Sequence, residues 1–388
     1  MKLETPNSKL ETAGKVDGHD PARGRGIVLV TGATGFIGWH VVRNLLAGGW
    51  SVRAFVRPES DVEHLRTLGR SVHFHVGRIE EERGLGAAAR GVDAVVHLAA
   101  VLLGPDEESY RRVNVDGTVN LLDAVHRFSP GVRRFVFVSS VAASGPTLGP
   151  EPPDEDVVPH PVSFYGRTKL EAEATVLERS DVFPVTVLRP PLVYGPRDRG
   201  LLPYFALARA GAILLVDDGN MPISLVHGAD VASAVRAAIE IDHANQSVFF
   251  LADGPPRTLR RIGEAIRLAQ DSPAVPVRVP SGVVRLASRA GRLALRRLGR
   301  VPALLHPDWL DQLIVPGWTC SADRIRRTLG WAPSIALGTG LRETLEWYRR
   351  AGWLKGPWPG TVNRADSGTS NDPRRDTRRR EGDPPCGT

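Results

Sequence analysis

Short apolar runs alternate with amphipathic stretches between residues 26 and 190 of this 388-residue chain. The stretches between the runs, among them SYRRVNVDGTVNLLDAVHRF and GRTKLEAEATVLERS, have the apolar spacing of helices. Strands that alternate with helices pair in parallel through right-handed crossovers. We therefore expect an α/β fold with a doubly wound parallel sheet and helices on both faces. The apolar runs predict strands with the sequences GIVLV, SVRAFVR, SVHFHVG, DAVVHLAA, RRFVFVSS and FPVTVLRP.

The other segments lie on either side of this unit, which we place at residues 26–190. Residues 1–25 are polar and lack the apolar core of a signal peptide, so they predict a disordered leader. Beyond Pro190 the alternation becomes irregular, and residues 191–355 predict a smaller, mostly helical lobe that supplies most of the substrate pocket. Residues 356–388 are rich in Pro, Gly, Ser and charge, which is typical of a disordered tail.

The cysteines and the apolar runs indicate which compartment and which kinds of bound metal the sequence is compatible with. Cys320 and Cys386 are the only cysteines, so the sequence has neither a disulfide framework nor the spacing of a metal site. No apolar run reaches the length of a membrane span. We expect a cytoplasmic protein without a bound metal.

A glycine-rich turn follows the first predicted strand and opens a helix. The octapeptide TGATGFIG places Gly32, Gly35 and Gly38 at the spacing of a dinucleotide-binding loop. Glycines let the backbone approach a pyrophosphate, and the helix N-terminus supplies N–H donors. The sequence thus predicts a Rossmann-type cofactor domain. The candidate contacts from this stretch are Gly32, Thr34, Gly35, Phe36, Ile37 and Gly38.

The second strand carries arginines where an NAD site has an acid. A carboxylate roughly 20 residues past the first glycine holds the ribose of NAD. Here SVRAFVRPES supplies Arg53 and Arg57, and its first acid, Glu59, comes after a proline. A guanidinium suits a 2′-phosphate, which a carboxylate repels. The sequence favours NADP over NAD, although two surface arginines in an arginine-rich chain would give the same pattern.

Tyr165 and Lys169 are four residues apart on a predicted helix, so they share a face. Lys169 is the only lysine between residues 16 and 354, in a chain whose 50 basic residues are mostly arginine. A nearby ammonium is expected to lower the pKa of the phenol and to donate to ribose hydroxyls. Arginine cannot fill that compact role. Upstream, FVFVSS ends a strand at Ser139 and Ser140, at the edge of the sheet that faces ligands.

These segments together resemble the extended short-chain dehydrogenase/reductase family of the epimerase/dehydratase type. The resemblance covers residues 26–352 through TGATGFIG, DAVVHLAA, NVDGTVNLLDAV, FVFVSSVAASG, YGRTK, LRPPLVYGP and LGWAP…TGLRETLEWYRRAGW. It implies a catalytic set of Ser140, Tyr165, Lys169 and Asn114, with Ser140 chosen over Ser139 because it lies five before Gly145. It also implies cofactor contacts from Tyr165 and Lys169 and from Leu98, Ala99, Ala100 and Pro190.

Departures from the family pattern narrow the expected substrate. Arg78 stands where the family has an aspartate near adenine, which puts the adenine contact in doubt. Val141 and Ala142 replace the Asp-Glu pair of sugar-nucleotide dehydratases, and Ile223 replaces the diphosphate-binding arginine of epimerases. The pattern is closest to 3β-hydroxysteroid dehydrogenases and dihydroflavonol reductases, so we expect an NADP-dependent oxidoreductase acting on an apolar alcohol or ketone. The alternatives are a sugar or nucleotide-sugar epimerase and a non-catalytic nucleotide-binding protein.

The net charge of +7 is concentrated in residues 281–300, which contain six arginines and no acid. The pattern favours a lobe helix with one packed and one solvated face. The alternative is a basic amphipathic helix in contact with an anionic membrane surface. Base-reading or stacking groups are missing from the segment, so we expect no nucleic acid as partner. A homodimer is compatible with the sequence.

Overall fold

The computed structural model describes residues 25–243, 245–298, 301–302 and 305–354. The predicted leader and tail therefore lie outside the described residues, apart from Arg25. The strands are β1 (Ile27–Thr31), β2 (Ser51–Val56), β3 (Val72–Val76), β4 (Ala94–His97), β5 (Arg134–Val138), β6 (Val185–Arg189), β7 (Leu192–Tyr194), β8 (Ala212–Val216), β9 (Pro222–Ile223), β10 (Leu225–His227), β11 (Ser247–Phe250), β12 (Arg257–Thr258) and β13 (Val275–Val279).

Helices connect these strands and cover both faces of the main sheet. A π-helical turn, Arg112–Asp116, separates the fourth and fifth helices, and a 3₁₀ turn, Val141–Ala143, follows β5. The helices are α1 (Phe36–Ala47), α2 (Glu63–Arg66), α3 (Leu85–Ala89), α4 (Glu107–Arg111), α5 (Gly117–Phe128), α6 (Phe164–Glu178), α7 (Leu202–Arg209), α8 (Gly228–Glu240), α9 (Leu259–Ala269), α10 (Ser281–Leu298), α11 (Pro307–Gln312), α12 (Asp323–Leu329) and α13 (Leu337–Arg350).

The main sheet is parallel throughout and has the order β11-β6-β5-β4-β1-β2-β3. The chain builds outward from β1 to β3 and then returns to place β4 on the other side of β1. This reversal opens a crevice at the carboxyl ends of β1 and β4, where ligands bind in such sheets. The predicted doubly wound fold is confirmed, and each of the six predicted strands is present.

The sheet needs residues from beyond the predicted domain boundary. Strand β11 pairs with β6 through Val248 and Val187 and completes the sheet on that edge. Helix α8 packs against α1, and Val231 and Val235 share a core with Val41. The boundary at residue 190 is therefore corrected, because the chain leaves the nucleotide-binding half there and later returns to it.

The lobe surrounds its own core, built around Phe205, Ile262 and Tyr348. It is less purely helical than expected, since three two-stranded sheets, β10-β7, β12-β9 and β13-β8, lie between its described helices. Two buried contacts join α11 to the nucleotide-binding half: Tyr110 donates to Asp308 over 2.6 Å, and His306 Nε2 donates to Gly104 O over 3.1 Å. These contacts fix the lobe beside the carboxyl edge of the main sheet.

Candidate active site

The glycine loop is packed so closely that side chains are excluded. Gly32 has φ +70°, and a Cβ there would lie 2.8 Å from Ala99 N. A Cβ on Gly38 would lie 2.1 Å from Gly32 O. Gly35 precedes α1 and provides no side-chain cap, so the first amides of the helix are left for a ligand. Thr34, Phe36 and Ile37, the other predicted contacts of this turn, are half-buried.

A buried hydrogen-bond chain supports the loop from below. His97 Nδ1 lies 2.6 Å from Thr31 Oγ1, and its Nε2 lies 2.9 Å from Thr118 Oγ1. Burial, followed by the charge of Lys169, lowers the pKa of His97 to about 3, so the ring is neutral. Thr31 Oγ1 in turn accepts from the amides of Leu98 and Ala99, each over 3.3 Å. Leu98, Ala99 and Ala100 are thereby held, half-buried, beside the glycine loop.

Arg53 does not reach the cofactor end of the sheet. Its side chain is buried, and Nη1 donates to Ala88 O over 2.8 Å and to Arg90 O over 2.7 Å. Side chains alternate along a strand, and this mid-strand position faces the end of α3 instead of the carboxyl edge. The expectation that Arg53 meets a 2′-phosphate is therefore corrected.

Arg57 lies where the expected phosphate contact belongs, directly after β2. Its side chain is 64% exposed and approaches Glu59, with 3.7 Å between Nε and Oε1. Arg78 binds the same carboxylate through two hydrogen bonds of 3.2 and 3.0 Å. The loops after β2 and β3 thus place two guanidinium groups around one carboxylate at the solvent-facing end of the crevice.

Tyr165 and Ser140 are brought together from different elements. Ser163 caps α6 by accepting from Gly166 N over 3.0 Å, and this places Tyr165 in the first turn. The side chain of Ser140 lies beside the Tyr165 phenol, and its Oγ accepts from Ala142 N over 3.2 Å. Burial raises the pKa of Tyr165 to about 12, and the nearby Ser140 hydroxyl opposes that rise. Ser139 is buried, and its hydroxyl has no partner among the described residues.

Lys169 is held below the tyrosine, one turn along α6. Its Nζ donates to Val138 O over 2.8 Å and lies 4.0 Å from the centre of the Phe137 ring. Burial lowers the pKa of Lys169 to about 7, and the Glu173 carboxylate opposes that shift. The sequence predicts that this lysine lowers the pKa of Tyr165. In the structure the pKa of Tyr165 is raised instead, because burial of the phenol has the larger effect.

Asn114 lies in the π-helical turn between α4 and α5, a local irregularity that is frequent at functional sites. Its Oδ1 accepts from Val101 N over 2.7 Å, and its Nδ2 donates to Thr168 Oγ1 over 3.0 Å. It therefore ties the segment after β4 to the residue next to Lys169. The position agrees with a supporting role, through α6, for the predicted catalytic set.

A buried ion pair beneath the site was not anticipated from the sequence. Arg189 Nε binds Glu173 Oε1 and Oε2 over 3.0 and 3.1 Å, and Arg189 Nη1 donates to Ser144 Oγ over 3.0 Å. Pro190 follows directly, and its carbonyl accepts from Val141 N over 3.0 Å. The four-residue spacing of Lys169 and Glu173 indicates that both side chains lie on one face of α6. The sequence does not indicate that Glu173 pairs with Arg189 at the end of β6.

A cavity of about 520 Å³ opens beside Val141, the residue after Ser140. Thr319, Ser144 and other polar groups contribute to its wall, but most of the lining is apolar. The apolar residues are Val141, Pro146, Leu148, Pro153, Val157, Val158 and Phe250. Such a cavity has the size and character of a small-molecule site.

Comparison with known proteins agrees with this geometry. The profile of the NAD dependent epimerase/dehydratase family matches residues 28–250. The chain is 28% identical to the ceramide reductase of Caulobacter vibrioides, covering 85% of this chain and 96% of that protein. It is 31% identical to the 2-alkyl-3-oxoalkanoate reductase of Stenotrophomonas maltophilia, covering 81% and 97%.

A solved structure of the same architecture is also similar along most of the chain. The UDP-glucose 4-epimerase of Thermotoga maritima, determined with UDP-glucose, is 25% identical, with a TM-score of 0.68. The match covers 84% of this chain and 99% of that one. Among the described residues, no helix has the length and apolar character needed to span a bilayer. The chain belongs to the NAD-dependent epimerase/dehydratase family and is an enzyme of the extended short-chain dehydrogenase/reductase type.

Proposed function

We propose that the protein is an NADP(H)-dependent reductase that interconverts a ketone and a secondary alcohol on an apolar molecule. The observation that carries the proposal is the placement of the Ser140 side chain beside the Tyr165 phenol, with buried Lys169 one turn away. These groups lie where the glycine loop and the carboxyl edge of the sheet meet. Ser140, Tyr165 and Lys169 are therefore proposed as the catalytic set, with Asn114 in support.

The proposed chemistry is a coupled transfer of a proton and a hydride. When bound, the nicotinamide supplies the hydride to the carbonyl carbon or accepts it from the alcohol carbon. In the reductive direction the Tyr165 phenol gives its proton to the carbonyl oxygen, and Ser140 donates to that same oxygen. Lys169, buried one turn along the same helix, offsets in its ammonium form the charge left on the phenolate. Tyr165 then regains a proton before the next cycle.

The cofactor would lie across the glycine loop, with its 2′-phosphate near Arg57. The uncapped N-terminus of α1 fits a pyrophosphate, and Lys169 fits the ribose of the nicotinamide half. Arg57 and Arg78 supply two guanidinium groups at the adenine end. Glu59, between them, would have to move aside or lose its ion pairs when a phosphate arrives. The preference for NADP rests on these two arginines.

The apolar substrate is supported by three features of the chain. Ile223 is buried in the lobe core, so the position that carries a diphosphate-binding arginine in epimerases is uncharged here. The cavity beside Val141 is lined mainly by apolar side chains. Two relatives bear names that describe reduction of lipid-like molecules, a ceramide reductase and a 2-alkyl-3-oxoalkanoate reductase.

Turnover assays with two substrate classes test the proposal. The purified full chain would be mixed with NADPH and either long-chain 3-oxo compounds or UDP-sugars, and loss of reduced nicotinamide would be followed by absorbance. We expect consumption of NADPH with the long-chain ketones and none with UDP-sugars. Net reduction of neither class, together with epimerised UDP-sugar on chromatography, would replace this function with that of an epimerase.

The epimerase alternative is supported by the similarity to the nucleotide-sugar enzyme from Thermotoga maritima. An epimerase uses the same catalytic set but retains its nicotinamide through the cycle. A purified protein that carries tightly held cofactor and shows no dependence on added NADPH would favour it.

A further inference from the structure

Helix α10 presents three separate stripes of side chains, and one of them packs against other described residues of the protein. The packed stripe is Val284, Ser288 and Gly291, which are buried at helical spacing. A Cβ on Gly291 would lie 2.2 Å from Leu305 O, so the helix sits directly against the segment before α11. Ser288 Oγ also donates to Asp311 Oδ1 over 2.6 Å. This stripe fixes the helix on the lobe and leaves the other two outside.

The second stripe is basic and almost free of partners. Arg285, Arg289, Arg292 and Arg296 recur at helical spacing, and each is exposed. Arg292 pairs with Asp311 over 3.0 Å, whereas the other three form no ion pair with any described residue. The helix itself contains no acid. Arg300, another of the six arginines of residues 281–300, lies outside the described residues.

The third stripe is apolar and exposed. A lobe helix with one packed face would bury its apolar residues, so that expectation does not explain this stripe. Val283 is 54% exposed, Leu286 is 67% exposed and Leu293 is 53% exposed. Leu298 at the end of the helix is 71% exposed. This apolar stripe is therefore not the packed face, because the buried residues are Val284, Ser288 and Gly291 beside it. The expectation of one packed and one solvated face is corrected on this point.

We propose that α10 docks the protein on the surface of an anionic lipid bilayer. A helix lies in the plane of a membrane when an apolar stripe enters the acyl boundary and a flanking basic stripe meets anionic headgroups. Both stripes are present, adjacent and uncovered by any described residue, while the third stripe holds the helix to the lobe. Strand β13, which leads into α10, adds the exposed side chains of Val275 and Val277. The unpaired arginines select an anionic lipid surface as the occupant.

The docking helix is linked to the catalytic region through α11. Helix α11 packs on α10 and carries Asp308, which accepts from the buried Tyr110 phenol over 2.6 Å. The Tyr110 ring lies 6.2 Å from that of Phe164, the neighbour of Tyr165. Leu102 and Leu103 are exposed in the same loop region as Gly104, which His306 contacts. A docked α10 would thus be connected through α11 to the helix that carries Tyr165, although docking does not depend on the proposed function.

Vesicle sedimentation of the full chain tests docking without any substrate or cofactor. The two probes are vesicles of phosphatidylcholine alone and vesicles of phosphatidylcholine with phosphatidylglycerol. We expect binding to the second kind only, and release as salt screens the surface charge. Each arginine next to an anionic surface contributes about fivefold in partitioning, so Arg289→Glu with Arg296→Glu should weaken binding by about 25-fold or more.

Matched variants separate docking from general charge attraction. Arg327→Glu with Arg349→Glu makes the same charge change at exposed helical positions elsewhere, and we expect binding to fall by less than about twofold. Leu286→Ser with Leu293→Ser keeps the charge but removes apolar contact, and we expect a loss of about tenfold. Circular dichroism checks that each variant is folded, and the salt dependence of the unaltered protein does not rely on any variant.

Several outcomes would overturn the proposal. One is a failure to sediment with anionic vesicles, and another is an equal loss of binding in the control variant. Salt-sensitive binding to duplex DNA that the leucine variant retains, with no vesicle binding, would identify a nucleic acid as the partner. A smaller mass of the leucine variant in solution would show that a second copy of the chain covers this stripe.

Discussion

Lys169 and Phe137 form a stacked pair beneath the proposed site, with the ammonium nitrogen 4.0 Å from the ring centre. The cation is held on one side by the ring face and on the other by Val138 O. A ring face and a carbonyl both favour a positive charge, yet burial still lowers the pKa of this lysine to about 7. The amine is therefore poised to change charge near neutral pH while the cofactor is absent.

This titration predicts that cofactor binding depends on pH. An anionic cofactor favours the ammonium form, so binding should raise the pKa of Lys169 and take up a proton. Since the free group loses its charge as pH rises through about 7, NADPH affinity should fall between about pH 7 and about pH 9, by at most about tenfold per pH unit. Titration calorimetry in buffers of different ionisation enthalpy measures the proton uptake.

The control for this prediction is Lys169→Met, which removes the titrating group but keeps most of its apolar stem. Its NADPH affinity should be weaker and nearly independent of pH in the same range. A pH slope that persists unchanged in Lys169→Met would assign the titration to another group.

Tyr165→Phe should abolish most of the turnover while leaving the cofactor bound. The substitution removes the proposed proton donor beside Ser140 but keeps the ring. General acid catalysis typically supplies about 10² to 10⁴ in rate, so we expect a loss in kcat of about a thousandfold. The NADPH dissociation constant, measured by fluorescence, should change by less than about threefold, because the ring that remains supplies its packing.

Tyr348→Phe is the matched control for the catalytic tyrosine. Tyr348 is fully buried in the lobe core, and its hydroxyl has no hydrogen-bond partner among the described residues. Removing that hydroxyl should leave kcat unchanged. Ordinary turnover by Tyr165→Phe on a substrate that the unaltered enzyme reduces would refute the catalytic assignment.

Substitutions of Arg57 and Glu59, at the proposed adenine end of the site, should change NADPH affinity in opposite directions. Arg57→Ala should weaken NADPH binding by tenfold or more and leave NADH binding unchanged, because a charge-assisted contact is worth about 1.5 to 3 kcal/mol. Glu59→Gln should strengthen NADPH binding, since it removes a carboxylate that competes with the phosphate for Arg57 and Arg78. Dissociation constants for both cofactors measure these effects.

Arg53→Met serves as the control on the same strand. Its guanidinium binds Ala88 O and Arg90 O, so the substitution should lower the melting temperature without altering the cofactor preference. Tighter binding of NADH by Glu59→Gln, or equal affinities for the two cofactors in the unaltered protein, would count against the NADP assignment.

The ion pair of Glu173 and Arg189 should support the stability of the protein. Both side chains are buried, so Glu173→Gln leaves a cation without its counter-charge. Breaking such a pair costs about 3 to 5 kcal/mol in the free energy of unfolding. Glu171→Gln is the control on the same helix, where the exposed pair with Arg111 should contribute little. Urea denaturation measures the stability of both variants. Equal midpoints would show that the buried pair contributes no more to the free energy of unfolding than the exposed pair.

Features that depend on a few neighbouring residues could be predicted from the sequence. The glycine loop and the alternation of strands with helices are local patterns, and the spacing of Tyr165 and Lys169 fixes a shared face. The sequence shows that Arg53 belongs to the second strand, but it does not show that this mid-strand side chain points to the end of α3. The pairing of Glu173 with Arg189 depends on how a helix and a strand meet in space, which periodicity does not encode.

In the lobe, too, contacts between distant segments decide features that local sequence patterns do not encode. Strand β11 is a short apolar run in an irregular region, and only its partner β6 makes it part of the main sheet. In α10, periodicity separated the arginines from the apolar residues correctly. It could not show that a third stripe, around Ser288, is the one that packs.

The late arrival of β11 has a consequence for how the chain matures. During synthesis, β6 emerges well before Ser247–Phe250, and until then it is an open edge that can pair with other chains. Strand β11 covers this edge, but it comes after the segment of the lobe that follows β6. Its pairing with β6 joins residues far apart in the sequence, and such contacts form slowly. A chain that stops near residue 190 would therefore carry the glycine loop and the catalytic set but remain unfinished and prone to aggregate.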